Sequence, residues 1–397
     1  LLLPSWYPTT PSDVTGVFFR DQALALYNYG HKVGVIAPSM RSLRRLGKSY
    51  ASGKLAFFEN DSGLLTYRKG FFAALPHVPY GNYQLFKRVA KALLQHYISE
   101  NGKPDILHTH VSVFSGAVGV DLSKEFGIPL VLTEHSSGFA RSIYSKWQIK
   151  LARKAIEGAT ACIAVSPALA TLLSGQFPSS EGRWQWIPNV VADRFKTPKK
   201  QTRIEQPIRF INLALMTENK GQLDLLEAFS QLTKGTGLKS ELWFAGDGPI
   251  RSKLEQLAID CGISDKVRFL GLVAPDKVPA LLAETDVMVV SSHYETFGVV
   301  AAEALMAGLP VVATSCGGPE CIVREGDGLL VSSKRPAELG NAMQQVAESL
   351  GDYEPTAIAD RAKARFSGPA VAARLTSEYE KILVCKQFPQ PNNYPIA

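Results

Sequence analysis

Glu295 and Glu303, eight positions apart, carry the strongest chemical signal in this chain of 397 residues. They fall in Ser291-Ser292-His293-Tyr294-Glu295-Thr296-Phe297-Gly298-Val299-Val300, which runs on into an apolar stretch from Ala301 to Ala313 whose only charge is Glu303. The pattern reads as strand, polar loop, helix, glycine stop, proline, strand. Glu295 belongs to the loop. Gly298 lets a ligand come close to the backbone, and the free N–H groups of Val299 and Val300 at the helix start make an anion site that a diphosphate would fill. Glu303 lies about one and a half turns inside the helix. A carboxylate among Ala, Val and Leu is costly unless it bonds something specific, and two neighbouring ribose hydroxyls suit a bidentate acceptor. The bland alternative is a capping Glu295 and a Glu303 paired with a buried arginine. Elsewhere His108-Thr109-His110 and Thr133-Glu134-His135 bring three of the seven histidines to two strand ends. A histidine satisfied by the backbone is the commoner fate, and a zinc trio is disfavoured. There is no Asp-x-Asp pair to hold a cation on a diphosphate.

These groups need elements to position them. Short apolar, β-branched runs recur through the front half: Leu1 to Leu3, Val33 to Ala37, Leu64 to Tyr67, Ile106 to His108, Leu130 to Thr133 and Ala161 to Val165. A second set follows: Ile208 to Leu213, Leu242 to Ala245, Val267 to Leu270, Val287 to Val290, Val311 to Ala313 and Leu329 to Val331. Amphipathic segments alternate with both sets, which predicts two α/β domains, each a doubly wound parallel sheet covered on both faces. Ligands of such sheets bind at the carboxyl ends of the strands, so two of them would face each other across a cleft. The expected divisions are an acceptor-binding domain over 1–190, a linker over 191–206 marked by Pro198, Pro207 and charge, a donor domain over 207–366, and a helix with a tail over 367–397 that packs back on the first domain.

The Glu-x7-Glu stretch resembles the donor-site signature of the retaining family 4 glycosyltransferases of the GT-B fold, and the order of further motifs extends the resemblance over nearly the whole chain. Asn219-Lys220-Gly221 is similar to the family's phosphate-binding Lys-Gly, which implies a cation on the diphosphate. Leu215 stands where the family has an arginine five residues before that lysine. The turn around Gly246 and Gly248 looks like the family's glycine-rich strand end, and Val267 to Val273, with Leu272, is similar to the segment that lies against the nucleotide base. Trp6-Tyr7-Pro8 and Val14 to Gln22 resemble the loop after the first strand, where Gly16 would bring N–H groups to the diphosphate. His135 resembles the active-site histidine near the transferring sugar. The resemblance therefore implies catalytic roles for His135, Glu295 and Lys220. Gly16, Lys220, Gly246, Leu272, Glu295, Thr296, Phe297, Gly298, Val299, Val300 and Glu303 would contact the donor, with His108 and His110 on the acceptor side. It implies a UDP- or GDP-sugar donor, no metal and no other cofactor.

Composition sets outer bounds. Hydrophobic residues at 46% and charged ones at 20% exclude a disordered chain and a disulfide-stapled mini-protein. Five cysteines, an odd number without zinc spacing, point to reduced thiols and the cytosol. The net charge of +7 divides into +9 through Phe195 and −2 after it. Arg41, Arg44, Arg45 and Lys48, then Phe57, Phe58, Lys69, Phe71 and Phe72, then Lys87, Arg88 and Lys91 interleave cations with aromatics, as expected of a protein resting on an anionic membrane face. Nucleic acid is the rival partner, but no nucleic-acid motif accompanies the charge. The expectation is a retaining, metal-independent glycosyltransferase acting on a glycan or lipid-linked acceptor in cell-surface polysaccharide or glycolipid synthesis. The rivals are a nucleotide-sugar epimerase of the same fold and a non-catalytic two-lobed binding protein.

Overall fold

A computed structural model of the chain describes residues 1–8, 13, 16–41, 56–72, 79–195 and 206–387. The chain divides into two compact units. The first comprises Leu1–Val165, Ala170–Val190 and the segment from Gly368; the second comprises Ser166–Leu169 and Val191–Ser367. Val191 to Phe195, expected at the start of a linker, belong to the second unit, where the Val191 N–H donates to the Phe366 carbonyl at 2.9 Å. Residues 196–205, most of the expected linker, lie outside the described residues.

The first unit holds β1 (Leu2–Pro4), β2 (Gly34–Arg41), β3 (Ala56–Asp61), β4 (Leu64–Phe72), β5 (Leu107–His110), β6 (Leu130–Glu134), β7 (Ala161–Ala164) and β8 (Trp184–Trp186) in the order β3-β4-β2-β1-β5-β6-β7-β8. All pairs are parallel except the β3–β4 hairpin. Helices α1 (Val17–Asn28), α2 (Pro79–Asn101), α3 (Ala117–Phe126), α4 (Lys146–Gly158) and α5 (Pro167–Gln176) intervene. Leu107, Leu130, Val131 and Leu132 are fully buried, as central strands covered on both faces require. The two strands that periodicity did not predict, β3 and β8, are the edges of the sheet. An edge strand needs only one buried side, and β8 is three residues long, too short to show an alternation.

The second unit holds β9 (Ile208–Leu213), β10 (Ser240–Ala245), β11 (Val267–Gly271), β12 (Val287–Val290), β13 (Val311–Ser315) and β14 (Gly328–Ser332), all parallel, in the order β11-β10-β9-β12-β13-β14. Its helices are α6 (Gln222–Thr236), α7 (Arg251–Asp260), α8 (Val278–Ala283), α9 (Val299–Met306), α10 (Pro336–Glu348) and α11 (Pro355–Phe366). A final helix, α12 (Gly368–Gln387), packs on α1 within the first unit. Phe210, Leu226, Phe229, Phe244 and Met343 form the core between sheet and helices on one face of the second unit. In this sheet the chain goes from β9 to β10 on one side, and β12 then takes the place on the other side of β9. The order reverses between β9 and β12, and the crevice beyond their carboxyl ends is where a doubly wound sheet binds its ligand. The corresponding reversal in the first unit lies between β1 and β5.

Candidate functional site

In the second unit, the loops that follow β9 and β12 meet at the reversal point. The His293 N–H donates to the Asn219 carbonyl at 2.8 Å, Ser291 Oγ to the Lys220 carbonyl at 2.8 Å, and Asn219 Nδ2 to the Tyr294 carbonyl at 3.0 Å. His293 Nε2 reaches Asp224 Oδ2, in the first turn of α6, at 2.8 Å. This lacing brings Lys220 Nζ to 2.5 Å from Glu295 Oε1, which also accepts from Ser292 Oγ at 2.8 Å. Two residues predicted to serve one donor are thus adjacent although 75 positions apart in the chain. Gly298 caps the start of α9 with φ 91°, a left-handed conformation that turns the loop directly into the helix and leaves the first N–H groups, those of Val299 and Val300, outside the helical ladder. Thr296 is partly exposed in the same loop, whereas the Phe297 ring is 1% exposed and packs edge-on against Phe366. Any donor contact from Phe297 therefore comes from its backbone.

Glu303 projects from the second turn of α9 among fully buried Ala301, Ala302 and Ala304. Its side chain is 9% exposed, and Oε1 accepts from Arg194 Nη2 at 2.7 Å. Sequence reasoning named a buried arginine as the bland partner for this carboxylate but did not identify Arg194, which stands in a segment without periodicity. Gly246 closes β10, and its N–H donates to the Gly271 carbonyl at 2.8 Å. A Cβ there would sit 1.9 Å from the Ala214 carbonyl oxygen, so close passage beside the β9 loop, and not a plain turn, requires glycine. Leu215 and Leu272 are 57% and 73% exposed at the ends of β9 and β11. The turn Gly317-Gly318 was overlooked despite being a legible Gly-Gly-Pro signal after a strand. A Cβ on Gly318 would fall 2.2 Å from the Phe297 carbonyl oxygen, so this turn supports the Glu295 loop from behind.

In the first unit the strand ends form a buried polar network. Glu134, fully buried, accepts at Oε2 from the Ser112 N–H (2.8 Å) and Ser112 Oγ (2.5 Å), and at Oε1 from the His135 and Ser136 N–H groups (both 2.8 Å). It ties the loop after β5 to the loop after β6. Burial raises its pKa, and these four donors pull the other way. The loop after β5 is strained: Val111 and Phe114 have φ 74° and 66°. Such conformations persist where neighbours over-determine them.

His108 was expected on the acceptor side, and the structure corrects this. Its ring nitrogens bond Tyr379 Oη on α12 at 2.6 Å and Thr133 Oγ1 at 2.7 Å, and the residue is 1% exposed. It is a satisfied core histidine. His110 and His135 are joined, Nδ1 to Nε2, at 3.0 Å, and Phe19 packs on both rings. The outer nitrogens, His110 Nε2 and His135 Nδ1, are buried. The structure therefore does not present a His135 ring nitrogen at the surface of its unit. Burial lowers the pKa of His108 and of His135 to about 3, in the latter against a smaller opposing pull from Asn189, and takes that of His110 well below its ordinary value. Among the described residues no group of three or more His, Cys, Asp or Glu is placed to hold a metal ion. Gly16, with φ 77°, precedes α1, and a Cβ there would lie 2.8 Å from the Trp6 ring.

The basic surface is smaller than the sequence implied. Lys87 pairs with Asp121 at 2.8 Å, Lys154 joins the same carboxylate, and Lys91 pairs with Glu125. Phe71 is buried against Phe86. Lys69, Arg88, Lys146 and Lys150 are exposed, as are Phe58 at 53%, Tyr80 at 59% and Ile143 at 61%. Arg44, Arg45 and Lys48, with the side chains of Arg41 and Phe57, lie outside the described residues. Among the described residues no helix is long and apolar enough to cross a membrane.

Two family profiles match the chain, "Glycosyltransferase Family 4" over residues 15–194 and "Glycosyl transferases group 1" over residues 193–364. A Bacillus subtilis glycosyltransferase assigned to teichuronic acid biosynthesis is 28% identical over 373 residues, 89% of this chain and 88% of that one. The GDP-mannose-dependent α-(1-6)-phosphatidylinositol monomannoside mannosyltransferase of Mycobacterium tuberculosis is 30% identical over 207 residues, 48% of this chain and 51% of that one. Among solved structures, sucrose-phosphate synthase of Thermosynechococcus elongatus matches with TM-score 0.75 and 22% identity over 97% of this chain and 99% of that chain. Anabaena HepE, solved in complex with UDP, matches with TM-score 0.71 and 18% identity over 96% and 99%. Both likenesses are to the GT-B fold.

The buried histidines predict a pH dependence. Each is neutral in the folded chain, while the unfolded chain binds a proton below about pH 6.5, so stability is present above that value and is lost as pH falls from there toward 3. By pH 5 the loss should reach up to about 2 kcal/mol per histidine. Melting temperatures measured from pH 7 to 5 should fall, and fall less steeply in His108→Gln, whose amide can span Tyr379 and Thr133. An equal slope in the two proteins would contradict the assignment.

Proposed function

From a chain that belongs to the group 1, family 4 glycosyltransferases, we infer a retaining, metal-independent enzyme that moves a sugar from a UDP- or GDP-sugar to a glycan or lipid-linked acceptor in cell-surface polysaccharide or glycolipid synthesis. The observation that carries this reading is the meeting of Lys220, Glu295 and the start of α9 at the strand-order reversal of the second unit. These groups match the needs of a departing nucleoside diphosphate: a lysine and fixed N–H dipoles stabilise its developing charge without reorganising, and they do so in place of a cation. The names of the relatives support the substrate class, one being GDP-mannose-dependent and one assigned to teichuronic acid biosynthesis.

The ion pair sets the sequence of events. Lys220 has to leave Glu295 to meet the diphosphate, and the freed carboxylate then accepts from hydroxyls of the sugar, with the backbone of Thr296 to Gly298 beside it. Glu303 takes the ribose, and Leu272 lies against the base. A diphosphate oxygen on the face that keeps the anomeric configuration receives the acceptor proton, so no side-chain nucleophile is needed. The acceptor site is assigned to the first unit. Acceptor binding is assigned near the exposed cations and aromatics of the first unit, resting on the inner, anionic face of the cell membrane.

Three outcomes test this reading. With UDP, GDP and ADP, one base should raise the melting temperature clearly above the others, and the corresponding sugar nucleotides should be hydrolysed slowly with release of the α-anomer from an α-linked donor; no binding by any of the three would sink the reading. Glu295→Gln, which frees Lys220, should bind the preferred nucleoside diphosphate several-fold tighter while sugar release falls by about a hundredfold or more; unchanged affinity would remove the exchange at the ion pair. Full-length protein should sediment with vesicles containing anionic phospholipid at low salt and be released at high salt; indifference to lipid charge would count against the membrane assignment.

A further inference from the structure

Beside the Lys220–Glu295 ion pair, a second side-chain contact joins the same two stretches of chain and has no role in the reading so far. His293 Nε2 lies 2.8 Å from Asp224 Oδ2, and both side chains are 27% exposed. His293 also holds the Asn219 carbonyl through its N–H, and Ser291 Oγ holds the next carbonyl, that of Lys220, both at 2.8 Å. Between these points stands Gly221, with φ 61°, where a Cβ would fall 2.0 Å from the Ser291 carbonyl oxygen and 3.2 Å from His293 Cδ2. The ring thus passes close to the residue that caps α6 and reaches a carboxylate in the first turn of that helix. We propose that Asp224 and His293 are a positioning pair for the diphosphate: they clamp the backbone of Lys220 against the loop that carries Glu295 and leads into α9, so that the lysine changes partner by moving its side chain alone. The proposal deepens the donor-site reading above and rests on it.

The chemistry suits a clamp that has to hold while its neighbour exchanges. When an anion takes the lysine, the bond between Lys220 and Glu295 is lost to the two loops. The bond between Asp224 and His293 involves neither side chain and stays. A carboxylate accepts, and imidazole Nε2 donates in one neutral tautomer and in the charged form alike, so a change in the protonation of the ring does not by itself break the contact. Asp224 stands in the first turn of α6, where free N–H groups favour a carboxylate, which fixes the accepting side of the pair. The gain is preorganisation: a lysine whose backbone is already in register gives up less freedom on meeting the diphosphate, and the N–H groups at the start of α9 keep their aim.

The test measures, by calorimetry on the full chain, the affinity for UDP, GDP and ADP and for the corresponding monophosphates; for the preferred base, the ratio of the two is the gain from the second phosphate. His293→Phe, which keeps a ring but no donor, should cut this gain by about five- to tenfold. His293→Gln, whose amide reaches where Nε2 stands, should restore most of it. An equal loss for mono- and diphosphate would mark a merely structural contact and overturn the proposal. Asp224→Ala should lose the same gain and Asp224→Asn keep it, because the amide oxygen still accepts. Were the negative charge of Asp224 all that mattered, both changes would tighten diphosphate binding, and that result would also overturn the proposal. In a Lys220→Met background, His293→Phe should cost nothing further, because the pair acts through Lys220; costs that simply add would refute it. Should His293→Phe fail to fold, Asp224→Ala removes the same bond from the other side and decides the matter. If the native chain binds none of the nucleotides, or gains nothing from the second phosphate, the donor reading fails and this inference with it. A gain that needs Lys220 but survives His293→Phe removes the clamp alone.

Discussion

His293 N–H on the Asn219 carbonyl, and Ser291 Oγ on the Lys220 carbonyl, exist because β9 and β12 lie side by side although two strands intervene between them in sequence. A parallel sheet built outward from β9 in both directions must set the first loop of one half against the first loop of the other, and the geometry of the candidate site follows from that adjacency. Side chains that would splay two such loops are excluded. The loops then face each other with opposite charges, Lys220 on one and Glu295 on the other, and the ion pair is the electrostatic result.

The two kinds of carboxylate in this protein behave differently for a physical reason. Glu134 is fully buried and meets four donors of its own unit, two of them on one oxygen and two on the other, so any ligand would have to break contacts that hold two loops together. Glu295 is part-exposed and shares its oxygen with a lysine that is itself 27% exposed. Such a pair holds far fewer contacts in place than Glu134 does. A diphosphate carries more charge than a carboxylate, and in the proposed reading it would compete with Glu295 for the lysine. The first carboxylate is a fastener and the second a place-holder, and a titratable residue at a strand end can be either.

Much of this was legible in the sequence where periodicity and strand ends coincide. The central strands read as unbroken apolar runs because both faces are covered, and Glu295, Glu303 and Gly298 stood out because charge and glycine interrupt such runs. What escaped notice lacks a local signature. Edge strands β3 and β8 need no two-sided apolar pattern. Arg194 matters only because a helix 109 positions later brings Glu303 to it, and Glu134 only because Ser112 folds beneath it. The same non-locality misassigned His108: its strand-end position reads like that of His135, but α12 returns from the far end of the chain and places Tyr379 against its ring.

The excess positive charge of the front half is also redistributed by folding. Asp121 on α3 collects Lys87 from α2 and Lys154 from α4, and Glu125, one turn on, takes Lys91. Three of the cations that made the sequence look uniformly basic are thereby spent on fastening α2, α3 and α4 to one another. Arg88, Lys124, Lys146, Lys150 and Arg153 remain exposed on these elements, and Tyr80 and, ahead of α4, Ile143 are exposed as well. A cationic face alone attracts any polyanion, but aromatic and aliphatic side chains standing among the cations gain only where they can leave water. Such a pairing is what the proposed lipid interface would need and a nucleic acid would not.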